Sequence, residues 1–141
     1  MFKKILVAID GSPMSDKALE AAFSFAENQG SNLLLLHVGR SVIMPPSMMV
    51  PTSENVYEAI KNAGEEIVRQ AKEKAEAKGL HPEAEYVEGD PAEQIVDIAK
   101  DKEADLVIIG SRGLGNFKEF MLGGVSHKVS QHVHCPILII K

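Results

Sequence analysis

Short, nearly unbroken runs of apolar residues alternate along this chain with longer stretches whose apolar residues recur every three or four positions. The runs fall at 5–9, 33–38, 106–109 and 137–140. Runs this short predict strands buried on both faces, as in a parallel sheet, and the intervening stretches carry the period of amphipathic helices. A further segment, 83–88, alternates charged and apolar residues and predicts a strand near a sheet edge with one face in water. Strand and helix repeated from end to end predict an α/β fold: a doubly wound, five-stranded parallel sheet with right-handed crossovers and helices on both faces. With the first and fourth strands as central neighbours, the order is 3-2-1-4-5. A crevice then opens beyond the carboxyl ends of those strands, with Asp10 and Gly110 on either side.

The helix boundaries are written into the turns. Ser12-Pro13 predicts an N-cap followed by proline at the first helical position. Asp90-Pro91, with Glu93 third, predicts the same device with a capping-box-like pair. Gly30 and Gly79 predict the ends of the first and second helices. The inner face of the first is expected from Ala18, Ala22, Phe25 and Ala26. That of the second, over about 54–78, is expected from Val56, Ile60, Ala63, Ile67, Ala71 and Ala75. Between them, residues 41–53 hold three prolines and three methionines. Such a segment reads either as a lid or binding loop, or as a Met-rich connection packing against a partner subunit.

Length and composition bound the rest. At 141 residues, 45% hydrophobic and 25% charged, the chain suits one soluble domain over 1–141. A net charge of −5 argues against nucleic acid as a partner, which calls for a basic stripe. The lone Cys135 excludes an internal disulfide and fits a reducing, cytoplasmic setting. No run approaches the about 18 apolar residues of a membrane span.

Residues 105–126 concentrate the chemistry. Gly110, Gly113 and Gly115 follow an apolar run, and Gly123 and Gly124 precede Val125, Val129 and Val133, which are spaced like the inner face of a helix. Glycine inside a helix costs about 1 kcal/mol relative to alanine, so the last helix is expected to begin at the Gly123–Gly124 pair. A glycine-rich loop between a strand end and a helix N-terminus lets backbone N–H groups approach a phosphate, and the helix dipole favours negative charge there. The same glycines also suit turns that need positive φ. Neither G-x-x-x-x-G-K-[ST] nor G-x-G-x-x-G is present. His127 and His132, five apart, do not share a helical face, and His134-Cys135 lies past the helix, so no metal site is expected. His37, inside an apolar strand, reads as a satisfied core or rim histidine.

Three separated segments, KKILVAIDGSPMSDKAL, GSRGLG…LGGVS and CPILIIK, resemble in order the first, nucleotide-binding and last segments of the universal stress protein family, over the whole chain. In its ATP-binding members the signature is G-x-x-G, nine residues, G, then Ser or Thr. Gly110, Gly113 and Gly123 match it, whereas Gly124 stands in the place of the hydroxyl residue, with Ser126 two positions on. The resemblance implies an ATP-binding regulatory or stress-response protein, with a divalent ion such as magnesium or manganese on the phosphates. It places phosphate and ribose contacts on Gly110, Gly113, Gly123, Gly124, Val125 and Ser126, adenine on the backbone of Val38, and a ribose hydroxyl on Asp10. Arg112 is positioned to pair with a phosphate. On the residues alone, Asp10 also suits an Asx turn and Arg112 a solvated loop.

No general base or nucleophile stands among these residues, so the resemblance implies at most slow ATP hydrolysis and a ligand acting as a conformational switch. A single acid ending the first strand also lacks the carboxylate cluster of a phospho-acceptor domain. The alternative, of another class, is a homodimeric interaction module of the same fold that holds no nucleotide. Under both readings the exposed edge strand Ile137–Ile140 is expected to pair with a second copy.

Overall fold

The computed structural model describes residues 1–40, 52–112 and 123–141. In order the elements are β1 (Lys4–Ala8), α1 (Pro13–Gln29), β2 (Asn32–Gly39), α2 (Thr52–Ala77), β3 (Glu83–Glu88), α3 (Pro91–Asp101), β4 (Leu106–Gly110), α4 (Gly124–His132) and β5 (Ile137–Ile140). The five strands pair in parallel in the order β3-β2-β1-β4-β5, as the sequence predicts. The segment 41–53 falls largely outside the described residues, apart from Thr52 and Ser53, which already belong to α2.

Alternation along β1 divides the core between the two faces. Ile5, Val7 and Ile9 pack with Ala18, Leu19 and Phe23 of α1 and with Ala71 and Ala75 of α2. Leu6 and Ala8 pack with Ala92, Ile95 and Ala99 of α3 and with Val129 of α4. Helices therefore cover both faces, and the central strands, dry on each side, read as unbroken apolar runs. Among the described residues no helix is long and apolar enough to cross a membrane.

The turn chemistry acts as expected. Ser12 Oγ accepts from Ser15 N–H at 3.1 Å, and Asp90 Oδ2 accepts from Glu93 N–H at 3.0 Å, each with proline at the first helical position. Gly30 ends α1 in the left-handed conformation at φ 69°, which glycine adopts without steric penalty.

Two helix faces depart from expectation. In α1 the core aromatic is Phe23, 1% exposed, whose burial contributes roughly 1.5–3 kcal/mol. Phe25 is half-buried and meets Phe2 edge-on, with ring centroids 6.0 Å apart. In α2 Ala71 and Ala75 join the core with Ile67 packed against it, and Gly64 and Val68 are also buried, whereas Val56 and Ile60 are 51% and 41% exposed and Ala63 is exposed. The C-terminal half of α2 packs on the sheet, and its N-terminal half overhangs the carboxyl ends of the strands.

Candidate functional site

The chain leaves β1 toward β2 and β3 and later returns to the other side of β1 as β4, so the strand order reverses between β1 and β4. A crevice of about 950 Å³ opens there, at the place such sheets offer a ligand. Asp10, Val38, Gly110, Arg112, Gly123, Gly124, Val125 and Ser126 all line it. Gly113 lies outside the described residues.

Asp10 follows β1 and is half-buried. Its Oδ1 accepts from Ser12 N–H at 2.9 Å, and its own N–H donates to Ser15 Oγ at 3.0 Å. The Asx turn is thus present, and it aims the carboxylate along the crevice wall. Among the described residues Oδ2 takes no hydrogen bond, which leaves an acceptor at the cleft. Gly11, at φ 81°, carries the chain through this turn under the Ile67 side chain of α2.

The opposite wall comes from β4 and α4. At Gly110 an added Cβ would lie 2.8 Å from Met14 Cγ and 3.2 Å from the Met14 backbone carbon. Glycine there serves the close approach of α1. Ser111 N–H donates to Ile140 O and Gly123 N–H to Ser111 O, both at 2.7 Å, which holds the start of α4 against the end of β4. Ser126, 3% exposed, donates from its hydroxyl to Ser111 O at 3.0 Å and Gly123 O at 3.1 Å. That proton is engaged within the protein, so what Ser126 turns to the crevice mouth is its backbone N–H.

Helix α4 opens without a side-chain cap, unlike α1 and α3. The His127 N–H reaches Gly123 O at 3.0 Å as the first turn closes. The N–H groups of Gly124, Val125 and Ser126 precede that bond and have no intrahelical partner, so they carry the positive end of the helix dipole. Among the described residues nothing lies within 4 Å of an added Cβ at Gly124.

Sequence reasoning missed several lining residues. Arg40 and Lys128 add positive charge beside Arg112, while Asp90 joins Asp10 on the acidic side. Arg40 was discoverable, since it directly follows the end of β2. Lys128 lies four residues after Gly124, one turn along the same face. Ile60, Ala63, Gly64 and Ile67 of α2 form an apolar wall; Ile67 also packs against the core, whereas Ile60 and Ala63, assigned to the sheet by the helix stripe, face the crevice. Among the described residues no three His, Cys, Asp or Glu side chains converge to hold an ion.

His37 is satisfied at the rim: its Nδ1–H donates to Ile9 O at 2.7 Å. Its ring lies 5.9 Å from that of Tyr86 at 32°. Tyr86 fills a slot over Gly39 and Gly64, where a Cβ on either glycine would collide with its ring or hydroxyl. One turn before Ile60, Tyr57 donates its hydroxyl to the Glu88 carboxylate, 2.8 Å from each oxygen. That hydrogen bond raises the phenol above its ordinary pKa and ties the overhanging end of α2 to the β3 edge.

Fold and crevice together define a doubly wound α/β domain whose cleft, at the topological switch point, joins an apolar wall to an uncapped helix N-terminus. The sequence model of the universal stress protein family matches residues 1–141, and the chain belongs to that family. It is 46% identical over 148 residues to universal stress protein YxiE of Bacillus subtilis, covering 100% of both chains. Its fold superposes on universal stress protein UspA from Lactobacillus plantarum with a TM-score of 0.87 at 24% identity, covering 99% of this chain and 98% of that one. A universal stress protein in complex with cAMP matches with a TM-score of 0.69 at 25% identity, covering 99% and 97%. A family member from Arabidopsis thaliana with AMP bound matches with a TM-score of 0.71 at 25% identity, covering 99% and 91%.

Proposed function

We propose that this chain binds an adenine nucleotide, ATP in particular, in the crevice between β1 and β4, and that the nucleotide acts as a conformational ligand. The observation that carries this reading is a convergence: the first residues of α4, whose N–H groups have no partner among the described residues, line the same crevice as Asp10 and the end of β2. An anionic tail suits the first, a ribose hydroxyl suits the second, and the backbone of Val38 suits a base edge. Arg112, Arg40 and Lys128 supply countercharge. Relatives crystallised with cAMP and AMP support the choice of base.

A divalent ion would be held mainly by phosphate oxygens, because hard cations of this kind are commonly bound through one or two carboxylates plus the substrate's phosphates. The crevice walls offer Asp10 and Asp90 for such a contact. Among the described lining residues no aligned base and nucleophile pair is present, and rapid hydrolysis is not part of this reading.

We further propose that the protein works in the cytoplasm as a single-domain homodimer paired through Ile137–Ile140. Strand β5 ends the sheet with β4 as its neighbour, which leaves its other backbone edge open among the described residues, and its four consecutive apolar side chains are half-buried. The experiment that tests the nucleotide reading is isothermal titration of the purified, nucleotide-stripped protein with ATP, AMP and cAMP, with and without magnesium. Saturable binding of at least one is expected. No heat with any of them refutes the reading and favours an interaction module without nucleotide.

A further inference from the structure

The ladder between β1 and β2 ends abruptly. Ala8 pairs with Leu36, and Ile9 N–H donates to Leu36 O at 2.9 Å. In a parallel ladder the next bond would run from Val38 N–H to Ile9 O. It is absent among the described residues. The Ile9 carbonyl accepts from His37 Nδ1–H at 2.7 Å instead. Val38 has the parity of Leu36, so its N–H and C=O face the β1 side of the strand. Gly39, of opposite parity, accepts from Gly89 N–H at 2.9 Å on the β3 side. On the β1 side the chain has already turned away through Asp10 and Gly11, and Val38 lines the crevice.

We propose that His37 is a positioning residue: by occupying the Ile9 carbonyl it leaves the Val38 N–H and C=O as an open donor–acceptor pair that selects a 6-aminopurine over a 6-oxopurine. The inference rests on the nucleotide reading and names the device that gives it base selectivity. Adenine presents an acceptor at N1 and a donor at the 6-amino group, complementary to the Val38 N–H and C=O. Hypoxanthine reverses both, setting donor against donor and acceptor against acceptor. A buried polar group facing a like group loses its hydrogen bond without replacement, which discriminates more strongly than an extra or missing methylene in an apolar pocket. The imidazole is held for the task by the Tyr86 ring, which the Gly39 and Gly64 slot fixes in place.

The test compares wild-type protein with His37→Phe and His37→Asn, using AMP and IMP as probes. Phenylalanine keeps the ring against Tyr86 and removes the donor. Asparagine places an amide N–H near the position of Nδ1 and restores it. Wild-type protein is expected to favour AMP. In His37→Phe the Val38 N–H closes onto Ile9 O, and the AMP-to-IMP preference falls by about tenfold, the effect of one hydrogen bond with its unpaired partner. In His37→Asn most of the preference returns. Amide hydrogen exchange at Val38 in ligand-free protein is a second readout, fast in wild type and slowed in His37→Phe. An unchanged AMP-to-IMP ratio and unchanged Val38 exchange in His37→Phe overturn the role of His37 and leave nucleotide binding intact. Wild-type protein that binds neither nucleotide overturns both.

Discussion

Replacing Ser126 by alanine separates two roles that its hydroxyl could play, as a donor to a bound phosphate or as a clamp on the protein's own backbone. The side chain is 3% exposed and its proton is shared between Ser111 O and Gly123 O at 3.0 and 3.1 Å. Both carbonyls keep a backbone donor without it, Gly123 N–H at 2.7 Å and His127 N–H at 3.0 Å. No buried acceptor is orphaned, so the larger penalty for an unpaired group does not apply. Loss of one net hydrogen bond costs about 1 kcal/mol, and alanine's higher helix propensity returns up to about 0.5 kcal/mol. The expected net destabilisation is about 0.5–1 kcal/mol, or a drop in Tm of roughly 2–4 °C for a chain of this size. Affinity for AMP should stay within about threefold, since the open N–H groups of α4 remain. A phosphate contact would behave otherwise: a charge-assisted bond is worth about 1.5–3 kcal/mol, tenfold or more in Kd. Thermal unfolding and calorimetry on the same sample decide the matter. An unchanged Tm with a tenfold loss of affinity would refute the clamp.

Three further outcomes follow from the geometry. Gly64→Ala should destabilise the fold by about 1–3 kcal/mol through overpacking, although helix propensity alone favours alanine by about 1 kcal/mol. Denaturant titration gives the sign, and a Tyr86→Leu background should relieve the loss. Gly124→Ser meets nothing within 4 Å among the described residues and should raise helix stability by a few tenths of a kcal/mol while tightening ATP more than AMP; a loss of ATP affinity in competition binding would contradict the site. At alkaline pH, Tyr57 is raised above its ordinary 10.0 chiefly by its hydrogen bond to Glu88, and Tyr86 above the same value chiefly by burial. Because folding raises these values, their contribution is complete below pH about 10 and is lost as pH climbs through the raised values. Tyr57→Phe should flatten that alkaline loss, as read by chemical denaturation across pH, and an identical alkaline limb in the variant would count against the tie between α2 and β3.

The strand order and most helix ends were legible because each rests on short-range chemistry. Ser12-Pro13 and Asp90-Pro91 start helices whatever surrounds them, and dry strands in a parallel sheet must be apolar throughout. What escaped depends on which surface an apolar residue meets. Ile60 and Ala63 fit the same stripe as Ala71 and Ala75, but periodicity cannot distinguish a sheet from the wall of a cleft. Phe23 and Phe25 are alike in sequence, and only the angle at which α1 lands makes one a core residue. The Tyr86 slot joins Gly39 and Gly64, whose glycines look like a strand end and a helix flaw when read separately. At the crevice, Asp10 and the Gly123–Gly124 pair stood out because turns and helix starts have residue signatures. The departure of Val38 from its ladder has none, since it depends on a contact between the His37 ring and the carbonyl of Ile9 on the neighbouring chain segment.

The hydrogen bond from Ser111 to Ile140 has a consequence for how the molecule is made. Synthesis delivers β1 and β2 early, so the acid and the strand end at one side of the cleft exist long before the other side. The corner that gathers the α4 amides waits for β5, the last element, whose carbonyl fixes the residue just past β4. A growing polypeptide therefore holds half a cleft until β5 docks, and damage at that outermost strand reaches the corner of the cleft through the Ser111 amide.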